Sequence, residues 1–254
     1  MKQTLRNIDR GSCLSQWIVF DFDGTIADTL ETVIQISYRI AREFGYESIC
    51  QFDVEQVRHL SFRERLQLIG FSFWKLPFFI RKVNNSLKSE IQELKPFHGI
   101  KEVIVELKKR GYKVGIITGN SKENVTQFAL ANEMEHLFDC LYSATLFGPA
   151  TLFGKDKVIR KLLRKEAIEP QQLVYVGDET GDIEAAQKTG VKSIAVSWGF
   201  NTPHALAAQN PDYLIQQPQE ILDILDAIAL KCGNAREAAI HTSHTPHTPH
   251  QFEV

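Results

Sequence analysis

A short apolar segment that ends in two carboxylates most constrains what this chain can fold into. The segment runs from Trp17 to Phe20 and is closely followed by Asp21, Asp23 and Gly24. It is too short for a helix and rich in β-forming residues, so it predicts a buried strand. Both acids then lie at the carboxyl end of that strand, where ligands bind in open α/β sheets. Taken alone, the pattern also fits an ordinary Asp-Gly turn.

The composition restricts the class of protein. The chain has 254 residues, of which 43% are hydrophobic and 24% charged, as is usual for a soluble globular protein. Its formal net charge of -2 gives no general attraction to nucleic acid or to an anionic membrane. No apolar run reaches transmembrane length, and residues 1–16 lack the apolar core of a signal peptide. We therefore expect a cytoplasmic protein with no nucleic-acid or membrane partner.

The cysteines give no sign of a disulfide framework or a zinc site. The chain has four, and they are scattered: Cys13, Cys50, Cys140 and Cys232. Zinc sites and small disulfide-rich domains have closely spaced pairs, which are missing from this sequence. We expect reduced thiols, as in proteins of the cytoplasm.

Strand and helix patterns alternate over most of the chain. Further buried strands are predicted at Lys113–Thr118, Asp139–Tyr142, Gln172–Gly177, Lys192–Ser197 and Asp212–Ile215. Helices are predicted from about Thr29 to Phe44, and at Ile100–Arg110, Lys122–Asn132, Asp156–Glu166, Asp182–Thr189 and Ile221–Leu230. This alternation predicts an α/β fold with a doubly wound, mostly parallel sheet.

The alternation is interrupted by a helical insert between the first two strands. Residues Tyr46–Leu94 keep helical apolar spacing without strand-type alternation, which predicts three or four short helices. We therefore divide the chain into residues 1–28 with the first strand, an all-helical domain at 29–95, and the rest of the sheet domain at 96–232. The remaining residues, 233–254, are rich in His, Thr and Pro, and such a segment is predicted to be disordered.

A tandem repeat precedes one of the candidate site residues. The five residues Ala144–Gly148 recur as Ala150–Gly154, and Lys155 follows the second copy. A duplication within a surface loop is the simplest explanation, because such loops tolerate insertions. If the duplication shifted the register, Lys157 would compete with Lys155 for any role at this position. We favour Lys155, because it follows Gly154 at the start of the predicted helix.

Polar residues end three of the predicted strands and would meet at one edge of a parallel sheet. Beside Asp21 and Asp23 they would place Thr118, Gly119, Asn120, Lys155, Asp178 and Asp182. Neighbouring carboxylates repel each other, and Mg²⁺ is a hard cation that prefers oxygen ligands and also binds substrate phosphate. A hydroxyl group and backbone amides can bind phosphoryl oxygens, and an ammonium group neutralises negative charge on the reacting groups. The edge therefore predicts a magnesium-dependent site for phosphate chemistry.

Four segments resemble, in the usual order, the four motifs of the haloacid dehalogenase (HAD) superfamily of hydrolases: Asp21–Thr25, Thr118, Lys155 and Gly177–Asp182. The resemblance covers about Trp17 to Leu230 and implies a Rossmann-like sheet domain. The helical insert is similar to the small α-helical cap of the phosphoglycolate-phosphatase-like branch. One departure is Gly119, because an Asn often follows the hydroxyl residue directly in this family. The position of the loop and the amide that meets the phosphate are therefore open.

The resemblance also implies roles for individual residues. Asp21 would be the nucleophile that forms an aspartyl-phosphate, and Asp23 would be the general acid and base. Mg²⁺ would be held by Asp21, by the backbone carbonyl of Asp23 and by Asp178, with Asp182 acting directly or through water. The remaining two positions would act on the phosphate and the nucleophile: Thr118 would orient the phosphate, and Lys155 would anchor both Asp21 and the phosphate.

These roles predict an Mg²⁺-dependent phosphatase that hydrolyses a small phosphorylated metabolite as a monomer or homodimer. The acid at Asp23 disfavours dehalogenases and phosphonatases, which the resemblance implies would usually lack it. A phosphosugar mutase or another phosphotransferase would keep both acids and remains an alternative. A non-catalytic module that binds a phosphorylated ligand or a partner protein is the alternative from a different class.

The insert is expected to select the substrate. Either Arg63 or Arg65, at a predicted helix start, would reach the mouth of the site and bind an anionic substrate, and the alternative is that both are solvated helix charges. The apolar residues between Phe71 and Phe79 would pack inside the insert, line its entrance or form a dimer surface. The segments near Asp28–Thr29 and Leu94–Gly99 are the expected hinges of the insert.

Overall fold

A parallel sheet organises the computed structural model, which describes residues 17–46, 54–68, 70–143 and 154–230. Its strands are β1 (Trp17–Phe20), β2 (Lys113–Thr118), β3 (Cys140–Ser143), β4 (Leu173–Gly177), β5 (Lys192–Val196) and β6 (Tyr213–Ile215). The order across the sheet is β3-β2-β1-β4-β5-β6, and every neighbouring pair is parallel. The structure thus confirms the predicted α/β fold and places β1 in the middle of the sheet.

The central position of β1 explains its sequence. All four of its residues are buried, and Phe20 pairs with Ile116 of β2 on one side and with Val176 of β4 on the other. A strand covered on both faces needs apolar residues throughout, since neither face meets water. The backbone N–H of Asp21 donates to the carbonyl of Val176 at 2.8 Å. Asp21 is therefore held in the middle of the carboxyl-end edge by the sheet itself.

Helices cover both faces of the sheet. The α-helices of the described residues are α1 (Leu30–Glu43), α2 (Val54–Val57), α3 (Phe62–Leu68) and α4 (Leu76–Leu87) in the insert, followed by α5 (Ile100–Lys109), α6 (Lys122–Ala131), α7 (Lys155–Glu166), α8 (Thr180–Thr189), α9 (Pro203–Ala208) and α10, which spans residues 220–230, in the sheet domain. Successive strand residues point to opposite faces. Accordingly, Ile18 shares a core with Ile104 of α5 and Leu225 of α10, whereas Val19 shares one with Leu162 of α7.

The insert has its own aromatic core. Phe71 lies 4.6 Å from Tyr46, 5.0 Å from Phe79 and 6.5 Å from Phe44, measured between ring centroids. The sequence left open whether the apolar residues between Phe71 and Phe79 pack inside the insert, line its entrance or form a dimer surface. In the structure, Phe71 and Phe79 are buried inside the insert. Two others, Trp74 and Phe78, are exposed on its surface. Edge-to-face and tilted ring pairs of this kind add to the stability that comes from burying apolar area.

Two connections join the insert to the sheet domain and run side by side. The N–H of Asp28 donates to the carbonyl of Lys95 at 3.0 Å, and the N–H of Phe97 donates to the carbonyl of Ile26 at 2.9 Å. A single antiparallel bridge lies between these two bonds. The predicted domain boundaries, after residues 28 and 95, fall within this paired segment.

The structure corrects some of the predicted elements. Helix α4 ends at Leu87 instead of continuing to Leu94, and Ile91 is buried from a turn. Helix α9 was missed, although Thr202 caps it and Pro203 occupies its first turn, a recognised start signal. Helix α8 begins at Thr180, two residues earlier than predicted, so Asp182 is its third residue instead of its first.

Some predictions fall on residues that the structure does not describe. The predicted tail at 233–254, residues 1–16 and most of the tandem repeat lie outside the described ranges. The same is true of three of the four cysteines: Cys13, Cys50 and Cys232. Within the described ranges, every helix is too short or too polar to cross a membrane.

Candidate active site

The carboxyl-end edge of the sheet gathers the predicted polar residues. Asp21 and Asp23 follow β1, Thr118 ends β2, and Asp178 follows β4. The first turns of α7 and α8 add Lys155 and Asp182. Parallel strands all end on the same side of the sheet, so residues far apart in sequence converge there. The turn after β1 reverses sharply at Gly24, whose φ of 76° is a left-handed conformation that suits glycine.

Three buried carboxylates form a group that suits a divalent cation. Asp21, Asp178 and Asp182 are at most 5% exposed, and one oxygen from each lies within 4.8 Å of the other two. The pKa of Asp178 is raised to about 7, mainly by burial and also by the negative charges of Glu179 and Asp182. Burial also raises the pKa of Asp21, by more than the ammonium group of Lys155 lowers it. A cation with oxygen ligands, such as Mg²⁺, offsets both effects, and this donor set fits it.

Lys155 supplies one positive charge to this group. Its ammonium group lies 3.0 Å from Oδ2 of Asp21 and also contacts the carboxylate of Asp182. Burial by itself lowers the pKa of Lys155, but Asp182 and Asp21 raise it by more, so the group stays charged. Lys157 is exposed on the next part of α7. The structure therefore brings Lys155 and not Lys157 to Asp21, and this ammonium group contacts two of the three clustered carboxylates.

Asp178 is fixed by its neighbours on both sides. One carboxylate oxygen accepts from the hydroxyl of Thr25 at 2.7 Å, and the other accepts from the backbone N–H of Phe200 at 2.7 Å. Two glycines, Gly24 and Gly199, pack against the same side chain. A Cβ atom at either glycine would overlap Asp178 well inside van der Waals contact. Neither Thr25 as a partner nor Gly199 was predicted, because only the folded chain brings residues 25 and 199 to Asp178.

We expect Gly199→Ala to destabilise the protein by about 1–3 kcal/mol and to weaken divalent-cation binding. The added methyl group must displace Asp178, and overpacking in a tight interior has costs of that size. Thermal unfolding with and without Mg²⁺ measures both effects. Gly181→Ala is the matched control, because a Cβ atom there meets nothing within 4 Å. A Gly199→Ala protein as stable as the Gly181→Ala protein would contradict the close packing around Asp178.

Asp23 has surroundings different from those of the three clustered carboxylates. The side-chain amide of Asn120 donates to both of its oxygens, at 3.0 and 3.1 Å. Asn120 is itself held, since its side-chain oxygen accepts from the backbone N–H of Ser121 at 2.8 Å and from Asn124 at 2.9 Å. The pKa of Asp23 is raised to about 6, because burial raises it by more than the bond from Asn120 lowers it. A pKa near 6 suits a group that both donates and accepts a proton near neutral pH.

The structure shows the position of the loop after β2, which the sequence left open because Gly119 follows Thr118. The backbone N–H of Asn120 donates to the hydroxyl oxygen of Thr118 at 2.9 Å, and Thr118 is 1% exposed. Gly119 and Asn120 line the cavity described below, whereas Thr118 does not. Asn120 was predicted to bind substrate, but its side-chain amide donates to Asp23, and its side-chain oxygen accepts from Ser121 and Asn124.

Asn120→Ala should lower kcat/KM by about 10- to 100-fold, because a hydrogen bond to a charged group contributes about 1.5–3 kcal/mol. Since Asn120 would act through Asp23, the loss should be larger for alkyl phosphates, whose leaving oxygen needs a proton, than for p-nitrophenyl phosphate. Steady-state kinetics on both esters test this. Asn132→Ala is a control for loss of a buried amide, because Asn132 donates to the carbonyl groups of Leu94 and Phe128. An equal loss on both esters would count against the positioning role.

A cavity of about 300 Å³ lies between the sheet edge and the insert. Asp21, Asp23 and Lys155 line its floor, and helices α1 to α4 line its walls. Of the two candidate arginines, Arg65 lines this cavity, whereas Arg63 is exposed and is not brought to it.

Side-chain contacts beside the cavity join the insert to the sheet domain. Arg65 pairs with Glu179, lies 3.8 Å above the ring centroid of Phe200 and donates to the carbonyl of Leu60 at 3.0 Å. Asn201 donates to the same Leu60 carbonyl at 3.0 Å and accepts from the N–H of Thr180 at 2.9 Å. Glu179 and Asn201 were not predicted, because no short motif marks residues that join two domains.

Comparison with known proteins shows the family to which the chain is similar. The family model described as haloacid dehalogenase-like hydrolase matches residues 18–196. The chain is 34% identical over 207 residues to a phosphoglycolate phosphatase of Synechococcus elongatus, covering 82% of this chain and 95% of the relative. It is 27% identical over 214 residues to pyrophosphatase PpaX of Bacillus mycoides, covering 83% of this chain and 97% of the relative.

Solved structures share the fold. A haloacid dehalogenase-like family protein of Streptococcus pneumoniae has a TM-score of 0.67 at 25% identity, over 83% of this chain and 98% of the other. A predicted phosphatase of Clostridium acetobutylicum has a TM-score of 0.71 at 21% identity, over 84% of this chain and 99% of the other. The family model and the 34% identical relative confirm the family resemblance predicted from the four motifs. The chain therefore belongs to the haloacid dehalogenase-like hydrolases, among the phosphoglycolate-phosphatase-like phosphatases of that family.

Proposed function

We propose that this protein is an Mg²⁺-dependent phosphatase that hydrolyses a small phosphate monoester through an aspartyl-phosphate on Asp21. The observation that carries the proposal is the different pairing of two neighbouring acids. Asp21 lies against Lys155 and two further carboxylates, whereas Asp23 lies against the neutral amide of Asn120. The first environment suits a nucleophile beside a cation, and the second suits a proton donor. The two relatives, a phosphoglycolate phosphatase and a pyrophosphatase, support phosphate hydrolysis as the chemistry.

The reaction divides into two displacements at phosphorus. In the first, a carboxylate oxygen of Asp21 forms a bond to phosphorus as the bond to the leaving oxygen breaks, and Asp23 gives that oxygen its proton. In the second, water attacks the phosphorus, the bond to Asp21 breaks, and Asp23 takes up the proton that the water loses. Positioned proton transfer of this kind contributes about 10²–10⁴-fold in rate.

Other residues would bind the phosphate and the metal. The backbone amide of Gly119 would orient the phosphoryl oxygens, and Thr118 would hold that loop in place by accepting from the N–H of Asn120. Lys155 would hold Asp21 and neutralise charge on the phosphate. Asp21, Asp178 and the carbonyl of Asp23, with Asp182 directly or through water, would hold Mg²⁺. When bound, this ion screens the charge of a carboxylate nucleophile from that of an anionic phosphate.

Hydrolysis of p-nitrophenyl phosphate by the full chain tests the proposal. We expect turnover with Mg²⁺, its loss in EDTA and its recovery when Mg²⁺ is restored in excess. Mg²⁺ should also raise the melting temperature, because it binds only the folded carboxylate group. Asp178→Asn should reduce that rise. A protein that Mg²⁺ stabilises but that hydrolyses no phosphate ester would contradict the proposal and favour a binding module.

A further inference from the structure

The cavity above the candidate nucleophile is charged near the sheet and apolar farther from it. Its floor is charged, but its walls are mainly aliphatic and aromatic side chains. Each of the four insert helices contributes to them: Val33, Ile34, Val57, Phe62, Ile80 and Val83. In a phosphatase with Asp21 on the floor, the phosphate occupies the charged end. The alcohol part of the ester must then lie against these apolar walls.

The cations at this cavity are already paired with carboxylates. Among the described lining residues they are Lys155, in contact with Asp21 and Asp182, and Arg65, in contact with Glu179 and stacked on Phe200. A carboxylate on the alcohol part of a substrate would therefore lose water and gain no unpaired cation among them. Burying a charge in apolar surroundings without a partner is strongly unfavourable.

The neutral polar side chains at the walls do not change this conclusion. They are Ser37, Tyr38 and Asn84. They bring no formal charge, so they suit at most a hydroxyl or carbonyl group on the substrate. The cavity volume of about 300 Å³ is at the lower limit for small-molecule sites. It therefore holds a phosphate together with one ring or a short branched chain.

We infer that the preferred substrate is a phosphate monoester whose alcohol part is an apolar body of this size, and not a short hydroxy acid or a sugar. The inference rests on the proposed function and adds the substrate class to it. It also separates this chain from its relative in Synechococcus elongatus, a phosphoglycolate phosphatase, since phosphoglycolate has a carboxylate in its alcohol part. Each methylene that enters an apolar site raises kcat/KM by about 3- to 4-fold.

A panel of four esters with Mg²⁺ tests the substrate class: 3-methylbutyl phosphate, glycerol 3-phosphate, phosphoglycolate and p-nitrophenyl phosphate. We expect kcat/KM for 3-methylbutyl phosphate to exceed those for glycerol 3-phosphate and phosphoglycolate by about 10-fold or more. This order opposes the intrinsic reactivity of the esters, since the polar alcohols are the better leaving groups. Equal or higher values for either polar ester would overturn the inference.

The panel separates this inference from the proposed function. Hydrolysis of p-nitrophenyl phosphate with a preference for phosphoglycolate would overturn the substrate class and leave the phosphatase standing. Absence of turnover on all four esters, with Mg²⁺ bound, would overturn both.

A pair of isosteric variants tests the apolar wall itself. Val57→Thr puts a hydroxyl group on the wall without a change of volume, and Val105→Thr makes the same change on a half-buried valine of α5 that does not line the cavity. We expect Val57→Thr to reduce the preference for 3-methylbutyl phosphate over glycerol 3-phosphate by about 5-fold, because the apolar body then buries a polar group. Val105→Thr should leave this preference unchanged. A Val57→Thr preference equal to that of the unmodified protein would contradict the location of the apolar body, and melting temperatures of both variants check their folding.

Discussion

Asp21→Asn should lower kcat for p-nitrophenyl phosphate by at least about 10³-fold, the largest effect of any single substitution considered. An amide is a poor nucleophile, and removal of a covalent nucleophile leaves only the catalysis that comes from binding and electrostatics. The fold should survive, because the backbone bond from residue 21 to Val176 does not involve the side chain. In the absence of metal, the variant should be at least as stable as the unmodified protein, because one of three mutually repelling carboxylates is removed.

Steady-state kinetics and thermal unfolding in EDTA measure these two effects. Asp223→Asn is the matched control, because Asp223 is an exposed acid on α10, outside the cavity lining. It should change neither quantity. Activity of the Asp21→Asn protein at the unmodified level would exclude Asp21 as the nucleophile. A large fall in its melting temperature would mean that lost folding, and not lost chemistry, explains the inactivity.

Asp23→Asn should have the second largest effect, a fall of about 10²–10⁴-fold in kcat/KM for an alkyl phosphate. The amide cannot give a proton to the leaving oxygen. For p-nitrophenyl phosphate the fall should be clearly smaller, because p-nitrophenolate leaves without protonation. The remaining carbonyl oxygen can still accept a bond from Asn120, so the local structure should persist.

The decisive measurement is the ratio of kcat/KM for the two esters in the variant and in the unmodified protein. This parameter reports the first displacement, in which the leaving group departs, and is independent of the later attack by water. Lys157→Met, at an exposed position on α7, is a control for a charge change that should leave the ratio unaltered. If Asp23→Asn lowers both values equally, then Asp23 does not protonate the leaving group.

The strands and the polar edge could be predicted because their signals are local. The segment Trp17–Phe20 is apolar at every position because both faces of the strand are covered. Its short length and its apolar composition are enough to predict a buried strand. Parallel topology then requires that the residues after β1, β2 and β4 meet, whatever their separation in sequence. That requirement is why Asp21 and Asp178 could be expected on one edge before any distance was known.

Contacts between domains could not be predicted in the same way. The ion pair between Arg65 and Glu179 joins the insert to the sheet domain across 114 positions, whereas Arg63, of the same residue type, is exposed and does not line the cavity. Which of two arginines faces a cavity depends on the rotation of a short helix, α3, and tertiary packing sets that rotation. The overlap that a side chain at Gly199 would cause is equally invisible in the sequence, because it depends on where the chain returns after β5.

The sequence by itself determined the α/β class, the family and the set of acids at the site, because strand periodicity and motif spacing are properties of neighbouring residues. Only the tertiary structure decided how those acids are paired, with Asp21 against Lys155 and Asp23 against Asn120. It also decided that the cavity walls above these acids are apolar and that the two cations at the cavity, Lys155 and Arg65, are paired with carboxylates. These features depend on how helices from two domains rotate and pack against each other. No local sequence pattern predicts that packing, because it results from contacts between residues far apart in the chain.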